Sequence, residues 1–141
     1  MANPANSTAY RGKDGRLWVN VTEAKTLGLA DSGYVQNVIF DNAVITLPAT
    51  ATQGLWIIRA GGVPKTNGPV GSGDNGSMKL SVSPNSADRI QGGVDGSAVD
   101  DKDIVLAKAT MRVDDYVVVQ NTGETNGPIV TEINGTWSRE A

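Results

Sequence analysis

The sequence predicts an all-β fold: a two-sheet antiparallel sandwich of jelly-roll type with at most one short helix. Three observations carry that expectation. Glycine makes up 17 of 141 residues while charged residues reach only 19%, so the chain is poor in helix formers and rich in turn formers. Short β-branched runs recur along its length, too close together for crossover helices. Asn-Gly pairs at 67–68, 75–76, 126–127 and 134–135 fall between those runs, where type I′ turns would close antiparallel hairpins.

Arg16 to Val21 opens the series, β-branched and partly alternating as a half-buried strand should be. Val35 to Phe40 and Ala43 to Leu47 flank Asp41-Asn42, a pair that tolerates left-handed backbone, and together they read as a hairpin. Leu55 to Arg59 is apolar at consecutive positions, the mark of a central strand covered on both faces. Met78 to Ser83 alternates without a break, one face toward the core and one outward. Runs at Asp103 to Ala107, Ala109 to Val113, Tyr116 to Gln120 and Pro128 to Ile133 follow, and Trp137 belongs to a last short strand. Helix signals occur once, over Val21 to Gly28, with Thr22 as N-cap, Glu23 in the first turn and Gly28 as the stop. Met1 to Asp14 is polar and aperiodic and reads as a flexible arm, which leaves residues 15–141 for a single sandwich domain. Lys65 to Ser77 is glycine-rich with little to bury and reads as a long exposed loop.

Composition removes whole classes of chemistry. Cysteine and histidine both count zero, which excludes thiolate nucleophiles, Ser-His-Asp and Cys-His triads, the usual zinc ligand sets and histidine bases. A net charge of -3 argues against nucleic acid, whose binding draws on clustered Lys and Arg. No apolar run approaches the roughly 18 residues of a membrane span, and Met1 to Asn6 lacks the apolar stretch of a signal peptide, so synthesis in a cytoplasm is expected.

The motifs that are present read as architecture. Gly71-Ser72-Gly73-Asp74-Asn75-Gly76 matches G-x-G-x-x-G, but a strand follows it where a dinucleotide site needs a helix. Asp95, Asp100, Asp101 and Asp103 lack the D-x-D-x-D-G spacing and distal Glu of a calcium loop and read as a solvated acidic loop. Asp114-Asp115 would point to opposite faces of a strand, so a turn role is expected rather than paired glycosidase acids. No catalytic, cofactor or metal site is therefore expected, and the chain is not expected to be an enzyme.

The C-terminal stretch Asp115-Tyr116-Val117-Val118-Val119, then Ile129 to Ala141 (Ile-Val-Thr-Glu-Ile-Asn-Gly-Thr-Trp-Ser-Arg-Glu-Ala), together with Asp88-Arg89-Ile90-Gln91-Gly92, resembles the capsid cement, or head decoration, proteins of tailed bacteriophages. That resemblance spans about the last third of the chain. It implies a jelly-roll homodimer on the outer surface of an icosahedral head, clamping neighbouring copies of the major capsid protein. In such a role the arm would add a strand to a neighbouring sheet edge, with Tyr10 in a pocket and Arg11, Lys13 and Arg16 meeting acidic capsid loops. Lys79, Ser81 and Ser83, on a strand taken to lie at a sheet edge, are the candidate two-fold contact. The rival expectation is a non-catalytic carbohydrate- or receptor-binding sandwich, whose marker would be Trp18 or Trp137 exposed beside Asn and Asp side chains.

Overall fold

A computed structural model gives the fold of residues 10–11, 15–64 and 75–140. Eleven strands form two facing sheets: β1 (Tyr10–Arg11), β2 (Leu17–Val21), β3 (Lys25–Thr26), β4 (Val35–Val38), β5 (Ala43–Thr46), β6 (Gly54–Ala60), β7 (Leu80–Ser83), β8 (Ile104–Leu106), β9 (Tyr116–Asn121), β10 (Ile129–Asn134) and β11 (Trp137–Arg139). The first sheet runs β1-β2-β4-β6-β9-β10 and the second β11-β8-β7-β5-β3. The predicted two-sheet sandwich is present, but its sheets are mixed. From β2 to β7 successive strands alternate between the layers, so β2, β4 and β6 pair in parallel, as do β3, β5 and β7. Only from β8 onward, and at β1, is pairing antiparallel. This parallel centre differs from the all-antiparallel ladder of a jelly roll.

The difference originates at the corners. Asn42 does take positive φ, at 54°, yet Asp41-Asn42 carries the chain from β4 in one sheet to β5 in the other instead of closing a hairpin. Asp41 accepts hydrogen bonds from the Asn42 amide (2.8 Å), the Lys79 amide (2.9 Å) and Lys108 Nζ (2.6 Å), pinning this corner to the start of β7. Led by the Lys108 bond, those contacts hold its carboxyl at a pKa of about 2. In the Asn-Gly pairs within the described residues, no Asn has positive φ; Gly127 and Gly135 alone carry it, so type I′ turns do not form there.

Two other expectations are corrected. The predicted helix over Val21 to Gly28 is extended backbone containing β3, and the described helical structure is a single 3₁₀ turn, Leu29–Asp31. Leu27 is drawn into the core, and a two-residue strand in parallel with β5 wins over weak helix signals. Ala109 to Val113 is a turn, with the Met111 amide bonded to the Ala107 carbonyl at 2.9 Å and the Met111 side chain buried.

The core lies between the layers, where Val38, Trp56, Ile58, Val117 and Val119 meet Ile45, Leu80, Val82, Ile104, Leu106 and Trp137. Fully buried Trp56 satisfies its indole N–H on the Gly28 carbonyl at 3.0 Å. Met78 closes the core just ahead of β7. Loops are tied by side chains that answer several carbonyls at once. Asn121 Nδ2 reaches those of Pro48, Ala49 and Thr52, each at 3.2 Å. The Arg139 guanidinium gathers those of Ile90 (2.6 Å), Gly96 (3.1 Å) and Gly92 (3.4 Å).

One charged cluster sits inside. Lys25 Nζ lies 2.9 Å from Asp31 Oδ1 and donates to Gln36 Oε1 at 2.8 Å, while Asp31 Oδ2 accepts the Gly28 amide at 3.0 Å. Side-chain exposures of 8% and 3% leave neither ion solvated, so removing one partner strands the other charge. Lys25→Met is expected to cost about 3–5 kcal/mol in denaturant unfolding. A Lys25→Met, Asp31→Leu double variant should recover most of that loss, and equal losses for both variants would contradict the account.

Candidate functional site

The outward face of the six-stranded sheet carries the most developed site. Residues directly opposed across a ladder share a face, and the register places Trp18 of β2, Val35 of β4, Ile57 of β6 and Val118 of β9 in one row, with Glu132 of β10 at its end. A neighbouring row runs Asn20, Asn37, Arg59 and Tyr116. Val35, Ile57 and Val118 are only 4%, 6% and 5% exposed although they point away from the core, because Trp18, Leu55 and Tyr116 pack around them. They form the apolar floor of a cleft of about 230 Å³ that also reaches Arg16, Arg59, Asp114 and Glu132. A second depression adjoins it across Ile57, Val118 and Glu132, extending toward Gly33, Leu55 and Thr131.

The rim is tightly bonded. Arg59 donates through Nε to Asp114 at 2.7 Å and through Nη1 to Asn37 Oδ1 at 2.6 Å, and Asn37 in turn donates to Asn20 at 3.0 Å. The same guanidinium lies over the Trp18 ring, 4.8 Å from its centroid, a cation–π geometry. Two backbone features permit this. Asp114 adopts φ of 82°, a left-handed conformation that Asp tolerates better than most residues. Gly61 has no side chain where a Cβ would strike the Asn37 amide. Beside Arg59 in the register, Tyr116 donates its hydroxyl to Glu132 at 3.0 Å. That bond, then partial burial and the Glu132 charge, raises the phenol above its ordinary pKa of 10.0.

The expected site residues disperse. Tyr10 and Arg11 form β1, with Tyr10 in register with Trp18 and Arg11 with Leu17, while Lys13 lies outside the described residues. Arg16 is exposed at the cleft. Lys79 is exposed just before β7, Ser81 is 6% exposed and Ser83 is half-buried. The edge placement of this strand is overturned: β7 is the middle strand of its sheet, with β5 on one side and β8 on the other, so its backbone is engaged on both sides and only its face is free to meet a partner.

Of the acidic residues, Asp100 pairs with Arg89 at 2.7 Å, and burial raises the Asp103 carboxyl above its ordinary pKa. Among the described residues no three acidic side chains converge as metal ligands. Asp115 is buried and accepts the Arg112 amide at 2.9 Å in a turn, whereas Asp114 faces the cleft. Trp137 is core, its indole N–H on the Asn134 carbonyl at 2.9 Å. Of the two tryptophans proposed as exposed markers, only Trp18 lies on an outer face beside Asn and Asp side chains.

Sequence reasoning missed Arg59, Asn37, Tyr116 and Glu132 as a unit. The outward alternation Leu55, Ile57, Arg59 was a signal, but partners 22 and 55 residues from Arg59 were not. No protein-family model matches this chain, and no curated protein sequence matches it.

The Tyr116–Glu132 bond has a pH signature. Neutral phenol donates to carboxylate, so the bond persists below the ordinary tyrosine pKa and is lost as pH rises through the raised one. Tyrosine titration by ultraviolet absorbance, with Tyr116→Phe to assign the transition, should place Tyr116 above 10.0. Glu132→Gln should move it down; an unchanged midpoint would contradict the assignment.

Proposed function

We propose that the protein is a structural virion protein that binds the outer surface of an icosahedral phage head and cements neighbouring major capsid protein subunits. The observation that carries this reading is the position of β1. Tyr10–Arg11 is the terminal strand of the six-stranded sheet, paired on one side with β2 and with no described strand beyond it. Extended backbone held at a sheet edge is prearranged to receive a strand from a neighbouring protein through main-chain hydrogen bonds. Exposed Arg16 lies close by in sequence, supplying positive charge for acidic loops of a shell.

The resemblance in the C-terminal stretch supports the same reading. Its residues form β9, β10 and β11 and so contribute to both layers. A decoration role asks for rigidity: Asn121 and the corner at Asp41 stiffen loops that join the layers, and Arg139 ties down the loop between β7 and β8. Many modest contacts spread over several capsid subunits then sum through multivalency.

Within this proposal the protein acts as a homodimer on the head exterior, after synthesis in the host cytoplasm. Its two-fold contact is the outward face of the five-stranded sheet, where Val44, Ser81 and Val105 stand in register. Exposed Val44 gives that face an apolar side chain to bury in a two-fold contact.

Deleting residues 1–14 removes only the two paired residues of β1 from the described sheet. The truncated chain is expected to keep its far-ultraviolet β spectrum and to lose co-sedimentation with phage heads stripped of accessory proteins. Full binding by the folded truncation would overturn the arm's role. At the proposed dimer contact, Val44 is 40% exposed, so Val44→Arg should leave the fold intact and halve the mass measured by ultracentrifugation. A dimer unaffected by that change would place the contact elsewhere.

A further inference from the structure

The cleft on the outer face of the six-stranded sheet is built more elaborately than shell attachment through β1 requires. A solvent-facing sheet surface is ordinarily polar, yet here three aliphatic side chains pack among aromatic ones at the floor of a cleft whose rim carries bonded charges. We propose that this cleft is a binding site for a neutral saccharide, an activity separate from attachment to a capsid.

Charge at the rim selects the ligand. Arg16 and Arg59 contribute two guanidinium groups, and Asp114 and Glu132 contribute two carboxylates. An anion would meet both carboxylates, and a cationic side chain both guanidiniums, so neither gains a net Coulombic advantage on entering. A neutral polyol uses both kinds of group: its hydroxyls donate to carboxylates and accept from guanidiniums in charge-assisted hydrogen bonds.

Shape and apolar character select the same class. The C–H-rich face of a pyranose ring matches an aliphatic floor of Val35, Ile57 and Val118 set between Trp18 and Tyr116, whose rings are large and apolar with polar tips. At about 230 Å³ the cleft is below the 300–1,000 Å³ typical of drug-sized ligands, a scale suited to one sugar ring. The adjoining depression shares the floor and leads across β6 and β9 toward Leu55 and Thr131. A second ring of an oligosaccharide extends that way.

Preorganisation completes the argument. Arg59 is held from three directions, by Asp114, by Asn37 and by the Trp18 ring, so little side-chain entropy is lost when a ligand arrives. Tyr116 is fixed likewise by Glu132.

The test is amide chemical-shift mapping of the full-length protein, titrated with neutral disaccharides of glucose, galactose, mannose, rhamnose and N-acetylglucosamine. At least one is expected to shift the amides of Val35, Ile57 and Val118 saturably, with a dissociation constant of roughly 0.1–10 mM. Trp18→Ala is expected to weaken binding at least about tenfold, equivalent to 1.4 kcal/mol. Because Trp18 also packs against the floor, exposed Glu132→Gln gives a second reading that does not disturb the fold, and it should weaken binding several-fold. Val99→Ala, at an exposed position between β7 and β8, should leave binding unchanged. The proposal is overturned if no disaccharide moves those amides at about 50 mM. It is equally overturned if sialic acid or lysine amide binds there and the neutral sugars do not, or if saccharide binding survives both cleft variants.

Discussion

Burial of β6 on both of its faces is the constraint from which the rest follows. Trp56, Ile58 and Ala60 point into the space between the sheets, while Ile57 points outward into a second apolar cluster with Val35 and Val118. A strand so covered belongs at the middle of its sheet, and β6 has β4 in parallel on one side and β9 antiparallel on the other. It is therefore the seam at which the alternating, parallel first half of the chain meets the antiparallel second half. Arg59, near its end, continues the outward row and organises the cleft rim. Core and site thus share one strand, its inward residues packing the core and its outward Ile57 and Arg59 building the cleft.

That two-sided burial was legible in the sequence, because Leu55 to Ile58 is apolar at consecutive positions, and the two-layer all-β class followed from similar runs. The parallel pairing was not legible. Asp41-Asn42 reports that the backbone turns, and Asn42 does adopt positive φ, but turn chemistry is the same whether the chain returns within a sheet or crosses to the other. What decides is where β4 and β5 bury their inward residues: Val38 and Ile45 lie on facing layers of one core. The same limit misled the reading of β7 as an edge. Its alternation reveals two unlike faces and is silent about whether strands flank it, which β5 and β8 do.

Of the site, single residues were visible and their assembly was not. Trp18 stands out in the sequence as a candidate stacking platform and Asp114 as half of an acidic pair. Arg59 joins them, touching the Trp18 ring and the Asp114 carboxylate at once. Such a junction depends on register between strands far apart in sequence, which local pattern does not encode. Within the segment that polarity and lack of periodicity mark as a flexible arm, the described residues Tyr10–Arg11 lie beside β2.

Under the two proposals the β1 edge would meet a shell while the floor of the cleft on the sheet face would stay open to solvent, with Arg16 at the boundary between them. Hydroxyl-radical footprinting of the shell-bound protein tests that division most directly, since it reads Tyr10 and Tyr116 in one experiment. The account predicts that binding to phage heads protects Tyr10 and leaves Tyr116 as reactive as in the free protein. Protection of Tyr116 with Tyr10 unchanged would contradict it, because the cleft rather than the edge would then be the surface that meets the shell.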